Sequence, residues 1–111
     1  PFRIAKVSDA YPDLPIMVIH MGGAGQPDLH DATIEFAKQY PQWYLVDSEA
    51  DYRKVLEAVE FLGADRICYG SDTPFCPMRF EWGIRQVVYQ DLAEEERAQV
   101  LGENMAGLFG F

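Results

Sequence analysis

Five side chains in this sequence pair proton-handling or cation-binding chemistry with a shared kind of position: His20, Asp47, Ser48, Ser71 and Asp72 each come just after a short apolar run. His20 is followed by Met21, Gly22, Gly23, Ala24 and Gly25, a turn so short of side chains that backbone amides and a substrate could approach the imidazole closely. His20 is therefore a candidate catalytic residue, with Gly22 and Gly23 as candidate substrate contacts. Asp72 sits in Gly70-Ser71-Asp72-Thr73-Pro74, where a carboxylate can bind a hard or borderline cation or take a proton from metal-bound water. Both residues also have a structural reading: the glycines would only let a strand turn into its helix, and Asp before Thr-Pro is a common turn former. Asp47 and Ser48 read as structural, Ser48 as the N-cap of the next helix and Asp47 as a charge facing its positive end. His30 reads as a solvated or partly buried surface residue, and Glu94-Glu95-Glu96 as a helix first turn.

The elements that would carry these residues follow from periodicity. Ile16–Ile19, Trp43–Val46 and Arg66–Tyr69 read as strands, and the first two lack the polar alternation of a half-exposed sheet, which implies burial on both faces. Between them, 27–40 spaces Leu29, Ala32, Thr33, Phe36, Ala37 and Tyr40 as one helical face closed by Pro41. A second helix starts at a capping-box-like Ser48 to Asp51, carries Val55, Leu56, Val59 and Leu62, and ends at Gly63. Further helices are expected over 81–89, over 94–101 with a stop at Gly102, and for a last turn or two over 103–109. The residues before Pro12 look like the end of another helix. Alternating strands and helices with short loops predict right-handed parallel crossovers, hence an α/β fold with all five polar side chains on the rim at the carboxyl ends of the strands. Three strands neither close a barrel nor cover their own edges, so the chain looks like part of something larger or a unit completed by association.

Composition narrows the classes. Eighteen acidic against nine basic residues give a formal charge of −9, which would repel nucleic acid and anionic membranes alike. The longest apolar runs fall far short of the ~20 residues needed to cross a bilayer, and no signal pattern opens the chain, so the cytoplasm is the default. Cys68 and Cys76 make no disulfide framework, and Cys68 reads as a reduced, buried thiol. Gly-x-Gly-x-x-Gly, P-loop, HExxH and Gly-x-Ser-x-Gly motifs are all missing, which removes the commonest nucleotide, zincin and serine-hydrolase readings.

The segments Pro15 to Gly23, Trp43 to Ser48 and Gly63 to Phe75, in that order and spacing, resemble the amidohydrolase-related family, whose members include aminocarboxymuconate-semialdehyde decarboxylase, aromatic-acid decarboxylases and some lactone hydrolases. The terminal run Gly102 to Phe109 resembles that family's closing Gly-x-Asn-x-x-x-Leu helix. The resemblance implies that residues 1–111 are the C-terminal part of one (β/α)8 TIM barrel domain, about strands 6–8 with their helices. It implies a metal-dependent hydrolase or decarboxylase acting on a small amide, lactone or aromatic carboxylate through a metal-bound water or metal-bound carboxylate. The divalent metal would be zinc in the first instance, with Asp72 as metal ligand and proton acceptor and His20 either acting near the metal-bound water or ligating a second metal. The family's first-strand His-x-His pair and fifth-strand histidine have no counterpart before His20, so the isolated chain is expected to be inactive, with the remainder of the barrel or another chain supplying the missing ligands. Two other readings compete: a non-catalytic module that pairs through exposed strand edges, including with its own copies, and a small phosphate-binding enzyme using the amides after His20.

Overall fold

The computed structural model describes residues 1–111, with every side chain except that of Arg79. Three parallel strands, β1 (Ile16–Val18), β2 (Trp43–Val46) and β3 (Ile67–Cys68), form one sheet in the order β1-β2-β3. Ile16 pairs with Trp43 and Val18 with Leu45, and Leu45 then pairs with Ile67 and Val46 with Cys68. β2 has the expected bounds, whereas β1 and β3 are shorter than expected: Ile19 is already half exposed where the backbone leaves the sheet, and Arg66 belongs to the 3-10 turn that precedes β3.

The helices are α1 (Phe2–Ala10), α2 (Pro27–Gln39), α3 (Tyr52–Leu62), α4 (Arg79–Val88), α5 (Glu94–Ala98) and α6 (Asn104–Phe109). On α2, Pro27 stands in the first turn, where its missing N–H costs nothing, and Asp28 beside it complements the helix dipole. Its buried residues are His30, Thr33, Ile34 and Ala37, a stripe rotated from the expected one: Ala32 and Leu29 are only half buried. The other end of α2 is capped from a distance. The Arg66 guanidinium donates to the carbonyls of Ala37 (3.2 Å) and Tyr40 (2.9 Å), acceptors at the end of the helix, and to that of Trp43 (2.6 Å) at the start of β2.

Trp43 is fully buried at the base of β2, stacked on Tyr40 and Phe36 with ring centroids 5.2 and 6.2 Å away, and its indole N–H donates to the Ser8 hydroxyl at 2.6 Å. That bond ties α1 to the foot of the sheet. The main core is continuous, running from Val18, Leu45 and Ile67 on the strands through Ile34 and Ala37 of α2 to Val55, Ala58 and Val59 of α3, and on to Val87 and Val100.

Gly102 does not stop a helix. The chain runs from α5 through a π-helical turn, Gln99–Glu103, directly into α6. A wide turn leaves a carbonyl unused by the helix, and the Val100 carbonyl accepts the Tyr69 N–H at 2.8 Å, beyond the end of β3. Asn104 completes the attachment, its side-chain amide donating at 2.7 Å to the carbonyls of both Ala64 and Ile67. Asn104→Ala would leave both acceptors without their donor, so a loss of about 1–3 kcal/mol is expected in denaturant unfolding of the full-length protein. An unchanged midpoint would show that α6 is held by its apolar contacts alone.

Candidate active site

The turn after β1 is left-handed through three successive residues, His20, Met21 and Gly22, with φ of 56°, 46° and 82°. For His and Met this costs on the order of 1–2 kcal/mol each, so the turn must be held from outside. Met21 is fully buried and anchors it in the core, and the Gly23 N–H closes it onto the His20 carbonyl at 2.9 Å. A Cβ on Gly22 would collide with the Thr33 hydroxyl, and one on Gly23 would stand 2.6 Å from the Leu29 side chain. Both glycines are thus required for packing on α2, whatever their amides face.

The half-buried His20 ring places Nδ1 at 3.0 Å from both the carbonyl and the hydroxyl of Ser48. A carbonyl only accepts, so this contact assigns the proton of the neutral ring to Nδ1. Nε2 then carries the lone pair that can take a proton or bind a cation.

Ser48 is therefore not the cap of α3. That role belongs to Asp51, whose carboxylate accepts the Arg53 N–H at 2.8 Å, while Ser48, 6% exposed, is turned to His20. Asp47 does not face the helix end either. Its Oδ1 accepts the Gly70 N–H at 2.7 Å and its own N–H donates to the Cys68 carbonyl at 3.0 Å, so it stitches the ends of β2 and β3 together.

Burial pushes the Asp47 carboxyl up to about 7, against the opposing pull of the Gly70 bond. Between the ordinary value of 3.8 and 7 the folded chain holds a proton that the unfolded chain has released. Stability is then lost as pH rises through that window and levels off above it. Asp47→Asn keeps the acceptor for Gly70 and removes the titration, so unfolding of the full-length protein at a series of pH values should show this decline flattened. The difference is up to about 1.4 kcal/mol per pH unit, reduced by solvent screening at a half-buried site. Parallel curves for the two proteins would refute the shift.

The third turn reaches the same place. Glu49 and Asp72 are also left-handed, at φ 57° and 55°, and the Glu49 carbonyl accepts the Gly25 N–H at 2.9 Å, joining the first turn to the second. Glu49, Asp72 and Cys76 each bring one donor atom to within 4.8 Å of the others. The connection from His20 to Asp72 runs through Ser48 and Glu49. Ser71 is occupied locally, its hydroxyl accepting the Thr73 N–H at 3.2 Å.

Two carboxylates and a thiol suit a borderline divalent cation, and the two carboxylates by themselves suit a harder one. Glu49 and Cys76 were not singled out by sequence. Their signals were there: Glu49 extends the Asp47-Ser48 strand end, and Cys76 follows Asp72 by four residues, one helical turn, with its N–H on the Asp72 carbonyl at 2.9 Å. No disulfide joins Cys76 to Cys68, whose buried thiol is pushed up to about 11.

His30 is the clearest departure among the polar residues. It is fully buried, with Nε2 at 2.7 Å from the Gly23 carbonyl. A cleft of about 480 Å³ lined by Tyr52, Leu56, Trp82, Arg85 and Tyr89 lies between α3 and α4, but it shares no residue with the rim and gathers no donor set.

The amidohydrolase family profile matches residues 1–111. The chain belongs to the amidohydrolase family. No curated protein sequence matches this amidohydrolase. Among solved structures it is similar to 2,6-dihydroxybenzoate decarboxylase complexed with 2,6-dihydroxybenzoate, at 20% identity and a TM-score of 0.70, covering 95% of this chain and 37% of that one. It is similar, again at 20% identity, to 5-carboxyvanillate decarboxylase from Sphingomonas paucimobilis, with a TM-score of 0.71, 95% of this chain and 36% of that one. The Novosphingobium aromaticivorans 5-carboxyvanillate decarboxylase, complexed with manganese and 4-hydroxy-3-methoxy-5-nitrobenzoic acid, aligns at 20% identity and TM-score 0.66 over 95% of this chain and 35% of that one. These neighbours are TIM-barrel amidohydrolases, and the three-stranded unit is a portion of such a barrel. The amidohydrolase chain spans just over a third of their length. Among its described residues, no helix is long and apolar enough to cross a membrane.

Proposed function

We propose that the full-length protein is a metal-dependent decarboxylase of an aromatic carboxylate, with His20 and Asp72 at its centre. The observation that carries this reading is the convergence of the three rim turns: His20 is fixed through Nδ1 on Ser48, and Ser48 adjoins Glu49, whose donor atom groups with those of Asp72 and Cys76. The choice of decarboxylation over amide or lactone hydrolysis rests on the neighbours, all described as decarboxylases of hydroxylated benzoates.

Asp72 would hold the cation, with Glu49 and Cys76 beside it. When bound, the cation supplies positive charge that draws a substrate carboxylate into place and polarises it. Loss of carbon dioxide requires a proton to replace it on the ring carbon. His20, with Nδ1 held by Ser48 and the lone pair on Nε2, is suited to carry that proton, and the Asp72 carboxyl can relay it. Gly22 and Gly23 would border the substrate by their lack of side chains, since the Gly23 N–H is already bonded to the His20 carbonyl. Zinc and manganese are both compatible with the donor set, and manganese is the metal bound in one neighbour.

The three strands would be strands 6–8, the C-terminal part of one barrel domain. The free edges of β1 and β3 would pair with the remainder of the barrel, or with another chain, which also supplies the histidines this segment lacks. We propose the cytoplasm as the protein's location, the default for a chain of this composition.

The test is carbon dioxide release from hydroxybenzoates by the full-length, metal-loaded protein, with a chelated control and a lactone or amide in parallel. Metal-dependent release is expected. Hydrolysis of the lactone or amide without decarboxylation would move the assignment to the hydrolytic branch of the family, and inactivity on all three would overturn it.

A further inference from the structure

We infer that His30 is a positioning residue that holds the His20 turn in its left-handed form. The inference rests on the proposed role of His20. Its starting point is a conformation that His20 and Met21 would not adopt unaided. The far end of that turn is the Gly23 peptide. The Gly23 N–H closes the turn on the His20 carbonyl at 2.9 Å, and the Gly23 carbonyl on the other side accepts two donors, the Gln26 N–H at 2.9 Å and His30 Nε2 at 2.7 Å. The carbonyl fixes the proton on Nε2, so His30 is a donor here.

His30 projects from the first turns of α2 and is fully buried. The same helix presents Leu29 and Thr33 to Gly23 and Gly22, so the turn is pressed onto α2 and bonded to its body through this imidazole. The two histidines therefore hold the turn from opposite sides. Ser48 fixes the His20 ring, and His30 fixes the backbone from which that ring projects.

The second ring nitrogen supports this assignment. His30 Nδ1 is buried without a hydrogen-bond partner among the described residues. A leucine there would fill space without that penalty, and the Gly23 carbonyl would still keep the Gln26 N–H. Packing alone does not call for a histidine at this position, whereas a rigid, directional donor to Gly23 does.

The experiment compares His30→Leu with His30→Gln in the full-length protein, measuring kcat and KM for the decarboxylated substrate, metal content, and a crystal structure of the leucine variant. Gln can place an amide N–H near the position of Nε2, and Leu cannot. His30→Leu is expected to fold and keep its metal, to lose about 100-fold in kcat at nearly unchanged KM, and to show residues 20–22 departing from their left-handed φ values. His30→Gln should recover at least about a third of the wild-type kcat. Equal kcat in wild type and the leucine variant with the turn intact would overturn the inference, as would equal losses in both variants. The outcomes separate from those of the proposed function, because an inactive His20→Ala beside a fully active His30→Leu would remove only the role of His30.

Discussion

Asp72→Asn in the full-length protein is expected to lower kcat by about a thousandfold, within the range for losing a proton-transfer group, and to reduce bound divalent metal together with it. The substitution isolates charge from shape. Asp72 has φ of 55°, and asparagine tolerates the left-handed region at least as well as aspartate, so no backbone strain is introduced. The side chain is half buried and exposed enough for an amide to be solvated, so stability should shift by no more than about 0.5 kcal/mol. Turnover and metal analysis on the same preparation check the result. Wild-type turnover, or lost turnover with full metal occupancy, would separate Asp72 from the cation.

His20→Ala is expected to cost about 10²- to 10⁴-fold in kcat while leaving KM close to its original value, because the imidazole is assigned to proton movement rather than to holding substrate. Metal occupancy discriminates between its two candidate roles. If the cation stays, His20 is the acid–base group; if it leaves, His20 is a ligand. Ser48, only 6% exposed, loses the ring it faces, so a stability decrease of about 1 kcal/mol should accompany the change. Denaturant unfolding measures that part independently of activity, and wild-type kcat would remove His20 from the site.

Much of this arrangement was legible in the residues. The three apolar runs became parallel strands in chain order, Pro27 opened α2, Gly63 closed α3, and the polar side chains after the strands gathered at one rim. The failures share a physical cause: the local signal was sound, but a tertiary partner claimed the group. Ser48 is a good cap by residue type, yet its hydroxyl and carbonyl were taken by His20 from 28 residues away, leaving Asp51 to cap α3. Gly102 looked like a helix stop, but the Tyr69 N–H at the end of β3 needed a carbonyl and a π-helical turn at Val100 provides it. His30 falls on the polar side of the expected apolar stripe, and only the left-handed turn after β1, which periodicity does not reveal, explains why the helix buries it. Glu49 shows the same limit. Its place just after Asp47 and Ser48 put it at the right strand end, but its left-handed φ and the 4.8 Å grouping of its donor atom with those of Asp72 and Cys76 come only from the tertiary fold.

The most direct test is anomalous diffraction at the manganese edge from crystals of the full-length protein soaked with manganese and a hydroxybenzoate. A manganese peak on the Asp72 carboxylate is predicted, with the aromatic ligand lying between that ion and Nε2 of His20. A peak at a site remote from Asp72, or a ligand bound out of reach of the His20 ring, would contradict it.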